Sequence, residues 1–347
     1  MILEDKVVLI TGGTGSLGQA LVDRIMLGEN GLPKKIIIFS RDEDKQYLMK
    51  LRLANVAVSS DDITYRLPRV RQENISFVIG DVRSYESISG YVDGSDIIIH
   101  AAALKQVPIC EYFPNESIMT NITGAQNIVR AVELAKHKPT HVIATSTDKA
   151  CDPINVYGMC KAVQERVMVE ANMKQMTTKF ICVRYGNVIR SRGSVIPLFQ
   201  EQIQNGGPLT ITSPDMTRFL IPMSMAVDTI MDSTILCRPG EILVPKLGST
   251  KITDLVNLLI GYKGIGTEVI GVRPGERIHE LLISDDEAPR SFETDNYYII
   301  RPILPELLEP IRSDHRDNPH LGDGVSSDQK LMSTKELKTL LKAEGIL

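Results

Sequence analysis

Short runs of apolar, β-branched residues alternate with longer stretches of helical periodicity through the first half of the chain. Residues 7–10, 35–39, 75–79, 96–99, 141–145 and 180–183 are almost continuously apolar rather than alternating, so they read as strands buried on both faces. Residues 18–26, 118–135 and 157–171 between them read as helices. Strands separated by helices imply right-handed crossovers, and the predicted fold class is therefore α/β, a doubly wound parallel sheet.

The second half is less regular, with breaks at Pro197, Gly206-Gly207-Pro208, Pro214, Pro222 and Pro239-Gly240. Residues 223–236 read as a helix and 241–244 as a strand, so the segment 215–245 is expected to return to the main sheet. A smaller lobe would then be assembled from 189–214 and 246–313. Residues 314–347 read as a polar linker and a docking helix, announced by the Ser333 to Glu336 capping box and by Leu337, Leu340 and Leu341 on one face. Between Asp42 and Asn74 a charged stretch carrying Arg52, Arg66, Arg69 and Arg71 exceeds an ordinary crossover; it reads as a partly helical solvated excursion or as an oligomer contact.

Composition narrows the partners. The 347 residues carry 39 Lys and Arg against 43 Asp and Glu, a net charge of −4, so no global basic field collects nucleic acid or an anionic membrane. Any anionic ligand must be met by a local site. Cys110, Cys151, Cys160, Cys182 and Cys237 contain no C-x-x-C pair, and five cannot form a closed disulfide framework. They are expected as buried thiols in a reducing compartment. Acidic residues at Glu4 and Asp5 and the lack of an uncharged stretch of membrane-spanning length predict a soluble, cytoplasmic chain. His137 and His141 have a ligand-like spacing, but Pro139 between them breaks a shared helical face, and no metal is expected.

The first predicted strand runs directly into Thr11-Gly12-Gly13-Thr14-Gly15-Ser16-Leu17-Gly18 and then a helix. Glycines at 12, 15 and 18 permit a tight turn, close approach of backbone to a pyrophosphate and close helix packing, while the helix N-terminus offers N–H groups to the anion. At the first strand-to-helix junction of a crossover unit this predicts a dinucleotide site on a Rossmann-type domain spanning 1–188. Ser40 and Arg41 end the second strand, with Lys45 close behind, where an NAD site usually has a carboxylate; this favours the 2′-phosphate of NADP, with Asp42 and Asp44 leaving NAD open. Asp81 and Val82 after the third strand, and Ala101, Ala102 and Ala103 after the fourth, face the same ligand, Asp81 either toward the adenine amino group or as a helix N-cap.

The fifth strand ends in Thr147-Asp148-Lys149, and Tyr157 and Lys161 lie four apart on one helical face. An ammonium beside the phenol would lower its pKa and make Tyr157 a base for a sugar hydroxyl. Asp148 and Lys149 cannot both reach one substrate from a regular strand, so an irregular turn is expected to begin at Asp148.

Together these segments resemble the extended short-chain dehydrogenase/reductases that act on nucleotide sugars, and within them the UDP-N-acetylglucosamine 4,6-dehydratases of bacterial surface-polysaccharide synthesis. The resemblance rests on Gly12 to Gly18, Ser40-Arg41-Asp42-Glu43, Gly80-Asp81-Val82-Arg83, the His100 to Pro108 run, Ser146 to Ala150, Asn155-Val156-Tyr157-Gly158, Arg184 to Val188, Ser191 to Pro197, Met216 to Phe219 and Arg273-Pro274-Gly275-Glu276. It implies that Tyr157, with Thr147 and Lys161, manages oxidation at C4, that Lys149 removes the C5 proton, and that a protonated Asp148 assists loss of the C6 hydroxyl. It further implies that Arg218 and Arg273 meet the diphosphate, with Asn187, Val195 and Glu276 around the nucleotide and Lys105 near the sugar or cofactor. Inversion at C5 and a homo-oligomer (dimer or hexamer), paired through the helix bearing Val163, Val167 and Met168, are the attendant expectations. A nucleotide-sugar 4-epimerase or C5-epimerase needs only Thr147, Tyr157 and Lys161, and a non-catalytic dinucleotide-binding regulator would have lost Tyr157 or Lys161.

Overall fold

Each apolar run of the first half becomes a strand in the computed structural model, which describes residues 1–58, 72–174, 177–261, 263–308 and 320–347. β1 (Val7–Thr11), β2 (Lys35–Ser40), β3 (Ile75–Ile79), β4 (Ile97–His100), β5 (His141–Thr145) and β6 (Lys179–Val183) pair in parallel in the spatial order β3-β2-β1-β4-β5-β6. The order reverses between β1 and β4, which opens a crevice at their carboxyl ends. The connecting helices are α1 (Ser16–Met26), α2 (Glu43–Val58), α3 (Tyr85–Val92), the short α4 (Val107–Tyr112) and α5 (Pro114–Ile118), α6 (Gly124–Leu134) and α7 (Val156–Lys174).

The helix expected over 118–135 is not continuous. A π-helical turn at Met119–Thr123 separates α5 from α6, and inside it Asn121 accepts from the Leu104 N–H and donates to the Leu104 carbonyl, both at 2.9 Å. The widened turn thus ties down the backbone next to Lys105. Of the 42–74 excursion, Arg66, Arg69 and Arg71 lie outside the described residues, while Arg52 pairs with Asp23 of α1 at 2.9 Å.

The second half departs from expectation in three places. β7 (Asn187–Val188), β9 (Thr217–Ile221) and β11 (Ser249–Lys251) form a separate three-stranded sheet, and β8 (Leu209–Ile211) pairs with β12 (Thr267–Val269). Only α9 (Met223–Leu236) and β10 (Ile242–Pro245) of the segment 215–245 return to the main sheet, β10 lying parallel beside β6. Residues 291–300, assigned on sequence to the smaller lobe, instead extend the main sheet as the antiparallel strands β14 (Ser291–Glu293) and β15 (Tyr297–Ile300). The run Tyr297-Tyr298-Ile299-Ile300 is buried throughout and matches the apolar floor beside β10.

The tail is likewise more than a linker: β16 (Val325–Ser326) pairs with β13 (Leu281–Ile283). A second core gathers Phe199 of α8 (Val195–Gln204), Leu255 of α10 (Ile252–Ile260) and Leu337 and Leu341 of α11 (Thr334–Ala343), whose capping box forms as its sequence predicts. All five cysteines are buried and none is in a disulfide among the described residues. Met168 is fully buried in the main core and Val167 packs against it, so of the three residues considered for pairing only Val163 is exposed. Among the described residues no helix is long and apolar enough to cross a membrane.

Candidate active site

Two adjoining cavities of about 840 and 480 Å³ lie over the carboxyl ends of the sheet and share Lys105, Gln106, Lys149, Asn187, Gly193 and Ser194. They form one cleft, with the glycine cradle at one end and the second lobe at the other.

The cradle is built for close backbone approach. Gly12 has φ +68°, and a Cβ there would meet Ala101 O and the Ala102 backbone at 2.8 Å, so the turn requires glycine. Gly15 stands at the N-cap of α1 with no side chain to occupy the first-turn N–H groups, leaving them toward the larger cavity, which Gly12, Thr14, Ser16, Leu17 and Gly18 line. These features fit a dinucleotide pyrophosphate. Ala101, Ala102 and Ala103 line the same cavity beside Gly12.

At the end of β2 the sequence-predicted residues divide. Ser40 is spent internally, its Oγ accepting from Thr14 Oγ1 and Gln46 Nε2, each at 3.1 Å. Lys45 pairs with Asp42 and the Arg41 guanidinium stands 3.8 Å from Asp81, and Ser40, Arg41, Asp42 and Lys45 all line the cavity. Arg192, which sequence reasoning passed over, lines the same cavity from the second lobe, its N–H donating to Ser16 Oγ at 3.2 Å. Asp81 does not line the cavity, although Gly80 and Val82 on either side of it do. Its carboxylate receives the Arg83 guanidinium at 2.7 Å, and the helix that follows is capped by Ser84 rather than by Asp81.

The chemistry gathers at the end of β5. Asp148–Ala150 form a 3-10 turn with Thr147 as N-cap, the irregular turn expected at Asp148; Lys149 lines the cleft, while Asp148 is buried behind it. This turn packs directly on α7: a Cβ at Gly158 would sit 2.1 Å from the Lys149 carbonyl, so the glycine after Tyr157 is what permits the approach. Asn155 secures the junction, its Oδ1 accepting from the Gly158 N–H and its Nδ2 donating to the Gly275 carbonyl, both at 2.7 Å.

Tyr157 and Lys161 both line the cleft, but their protonation differs from the expectation. Burial pushes the phenol well above its ordinary pKa, with the Thr147 hydroxyl opposing and the Asp148 charge adding to the rise. Lys161 is buried, held by Gln164 Oε1 at 2.8 Å, and burial pushes its ammonium down to about 8. Lys161 is not among the groups that move the phenol. Desolvation is the largest influence on each group. His100 beneath them bonds Thr11 Oγ1 at 2.8 Å and is kept neutral, pushed down to about 3 by burial and by Lys161.

Lys149 lies between two carboxylates, 2.9 Å from Asp148 and 3.1 Å from Glu280. Burial acts to lower it, yet the two carboxylates hold the ammonium above its ordinary value. Asp148 is raised, by burial first and by Glu280 further, against the pull of Lys149. Glu280 carried no signal in the sequence beyond its place in a loop; its nearness to Lys149 exists only because the second lobe folds back over β5.

The candidate substrate residues are brought to the smaller cavity with one correction. Val195, Asn187, Arg273 and Glu276 line it. Arg218 lines it too, but its guanidinium is largely turned to backbone, donating to the carbonyls of Thr217, Arg277 and Ile278 at 2.7 to 3.1 Å. It fixes the 277–278 backbone rather than offering a free fork. Lys105, lowered by burial, reaches Ser191 Oγ at 3.4 Å.

Fold and cleft together define a Rossmann-type protein of the extended short-chain dehydrogenase/reductase class. A family model described as polysaccharide biosynthesis protein matches residues 8–302, and the chain belongs to that family. It is 43% identical over 302 residues to a Campylobacter jejuni protein named UDP-N-acetylglucosamine 4,6-dehydratase (inverting), covering 86% of this chain and 84% of that one. It is also 40% identical over 346 residues, 97% and 95% of the two chains, to a Rickettsia prowazekii protein named UDP-glucose 4-epimerase. Among solved structures, Pen from Bacillus thuringiensis superposes with a TM-score of 0.85 at 32% identity, covering 99% of both chains.

Proposed function

We propose that the protein is an NADP-dependent dehydratase that converts UDP-N-acetylglucosamine to a UDP-4-keto-6-deoxy-N-acetylhexosamine, with inversion at C5, in bacterial surface-glycan synthesis. The observation that carries this reading is the 3-10 turn that brings Lys149 into the cleft that Tyr157 and Thr147 also line, with the Asp148 carboxyl buried behind it, 2.9 Å from Lys149 Nζ. An epimerase needs no acid and amine at that point. The inverting dehydratase name of the 43% identical relative agrees with it.

In this reading the cradle from Gly12 to Gly18, with Arg41 and Arg192 at the adenosine end, holds the dinucleotide, and Ala101 to Ala103 lie along it. When bound, its nicotinamide supplies a hydride acceptor for C4 and a donor for C6. Tyr157 takes the O4 proton; its burial makes the phenolate costly, so the neighbouring Lys161 ammonium has to meet the charge. With C4 oxidised, the C5 proton becomes acidic and Lys149 removes it. The amine form that this requires is one proton transfer away, because both carboxylates are within hydrogen-bonding distance of Nζ. Asp148, buried and raised, gives its proton to the departing C6 hydroxyl as water leaves.

The test is incubation with UDP-N-acetylglucosamine and either NADP⁺ or NAD⁺ in deuterated water, followed by proton NMR. A C6 methyl signal with deuterium at C5, formed faster with NADP⁺, is the expected result. The absence of any methyl signal overturns dehydration. The second reading, a 4-epimerase, is favoured by the name of the Rickettsia relative and would give a C4 epimer with the C6 hydroxyl intact.

A further inference from the structure

Two adjacent residues of opposite charge ordinarily neutralise each other, and an Asp148 carboxylate paired with Lys149 alone would be ionised and useless as an acid. Here the lysine has a second partner. Glu280 is 3% exposed and lies 3.1 Å from Lys149 Nζ, which Asp148 meets at 2.9 Å. It is held in place from three directions. Arg218 Nε stands 3.8 Å from the same Oε1 that meets Lys149. The Glu280 N–H donates to Ser327 Oγ at 2.9 Å, and the Glu280 carbonyl accepts from the Ser327 N–H at 2.9 Å. β13, which begins immediately after it, packs on the 3-10 turn. On the other side, Asp148 Oδ2 is buried and has no hydrogen-bond partner among the described residues.

We propose that Glu280 is a positioning residue: anchored by Arg218 and Ser327, it serves as the counter-ion of Lys149, so that Asp148 rather than Glu280 carries the acidic proton. This rests on the dehydratase reading for its purpose, but not for its physics. The charged and titratable groups that face the pair are Lys149 on the turn, Tyr157 on α7, Arg218 on β9, and Arg277 and Glu280 on the second-lobe loop. Both cations of the second lobe act on Glu280, and none of them is a partner of Asp148. When two carboxylates share one ammonium, the proton settles on the one with less compensation. That one is Asp148.

The experiment is a pH titration of the full-length protein with ¹³C-labelled aspartate and glutamate carboxyls, read by NMR. In the wild type, Asp148 should titrate above the ordinary carboxylate range and Glu280 below it; the reverse order overturns the proposal, and this holds without any variant. In Glu280→Gln the Asp148 midpoint should fall by about one pH unit or more, since a like charge is lost and Lys149 turns wholly to Asp148. Glu280→Asp should keep most of the elevation. An Asp148 midpoint that stays put in Glu280→Gln removes the role. The pH profile of methyl formation gives a second readout, its alkaline limb moving down with the midpoint. If the midpoints behave as expected while the wild type forms no methyl product, the dehydratase reading fails and the assignment of Glu280 stands.

Discussion

The protein contains two buried charge clusters of similar make-up and opposite character. In one, Arg184, 1% exposed at the end of β6, uses every N–H of its guanidinium: two bonds to Glu165 of α7, two to Glu287 and one to the Leu282 carbonyl, at 2.6 to 3.0 Å. Ser146 and Arg290 occupy the remaining carboxylate positions at 2.6 and 3.1 Å. In the other, Asp148, Glu280 and Arg218 are buried and Lys149 is half-buried at the cleft, yet Arg218 spends its best bonds on backbone and Asp148 keeps an oxygen without a partner among the described residues. Both clusters pin the second-lobe segment 280–287 to the main sheet. The satisfied one has nothing left to exchange, whereas the other borders the cleft through Lys149 and keeps one carboxylate oxygen unpartnered among the described residues. Full satisfaction makes a charge cluster structural, and a deliberate shortfall makes it chemical.

The sharpest way to break this comparison is Lys149→Ala. Methyl formation should fall by about 10²–10⁴-fold while dinucleotide affinity, measured by calorimetry, stays within a factor of two or three, roughly the scale of a non-contacting change. A loss below tenfold would remove the chemical character assigned to that cluster. Arg184→Leu should do the opposite kind of harm, costing about 3–5 kcal/mol in denaturant unfolding because two carboxylates are left buried without their cation. A cost under about 1 kcal/mol would mean that the cluster is not a structural tie. The smallest effect is in acid. Burial raises the Glu287 carboxyl but Arg184 overrides it and holds it at about 2, below the ordinary 4.5. A carboxyl depressed on folding contributes stability that is fully present above its unfolded pKa and is lost as the pH falls through the folded one. The stability advantage of wild type over Glu287→Gln should therefore be constant above about pH 5, shrink below it and be nearly gone near pH 2; an advantage independent of pH would exclude the pairing.

The sequence made the cleft legible from one side only. The cradle, the turn at Asp148, Tyr157 and Lys161 are all set at strand-to-helix junctions, and the rule that ligands gather at the carboxyl ends of parallel strands locates them without a structure. Residues delivered by the second lobe were legible only where a resemblance named them. Arg218 looked like a free diphosphate ligand, yet its donors are taken by carbonyls of a segment 59 and 60 residues away. Arg192 reaches the cradle from 176 residues away, through a loop with no periodicity to reveal its path. Asn155 alone had a local signal, a helix-capping residue three before Gly158, though nothing indicated that it also holds Gly275.

By itself, then, the sequence determined the strands of the first half, their parallel class, the phosphate cradle and the helical pairing of Tyr157 with Lys161, because burial periodicity, glycine turns and helix spacing act over a few residues. Only the tertiary structure decided which carboxylate faces Lys149, where the strands after Ser291 attach, and whether Tyr157 and Lys161 are tuned by each other or by desolvation. Those outcomes depend on long-range approach and on the exclusion of water, and neither is encoded in any local stretch of the chain.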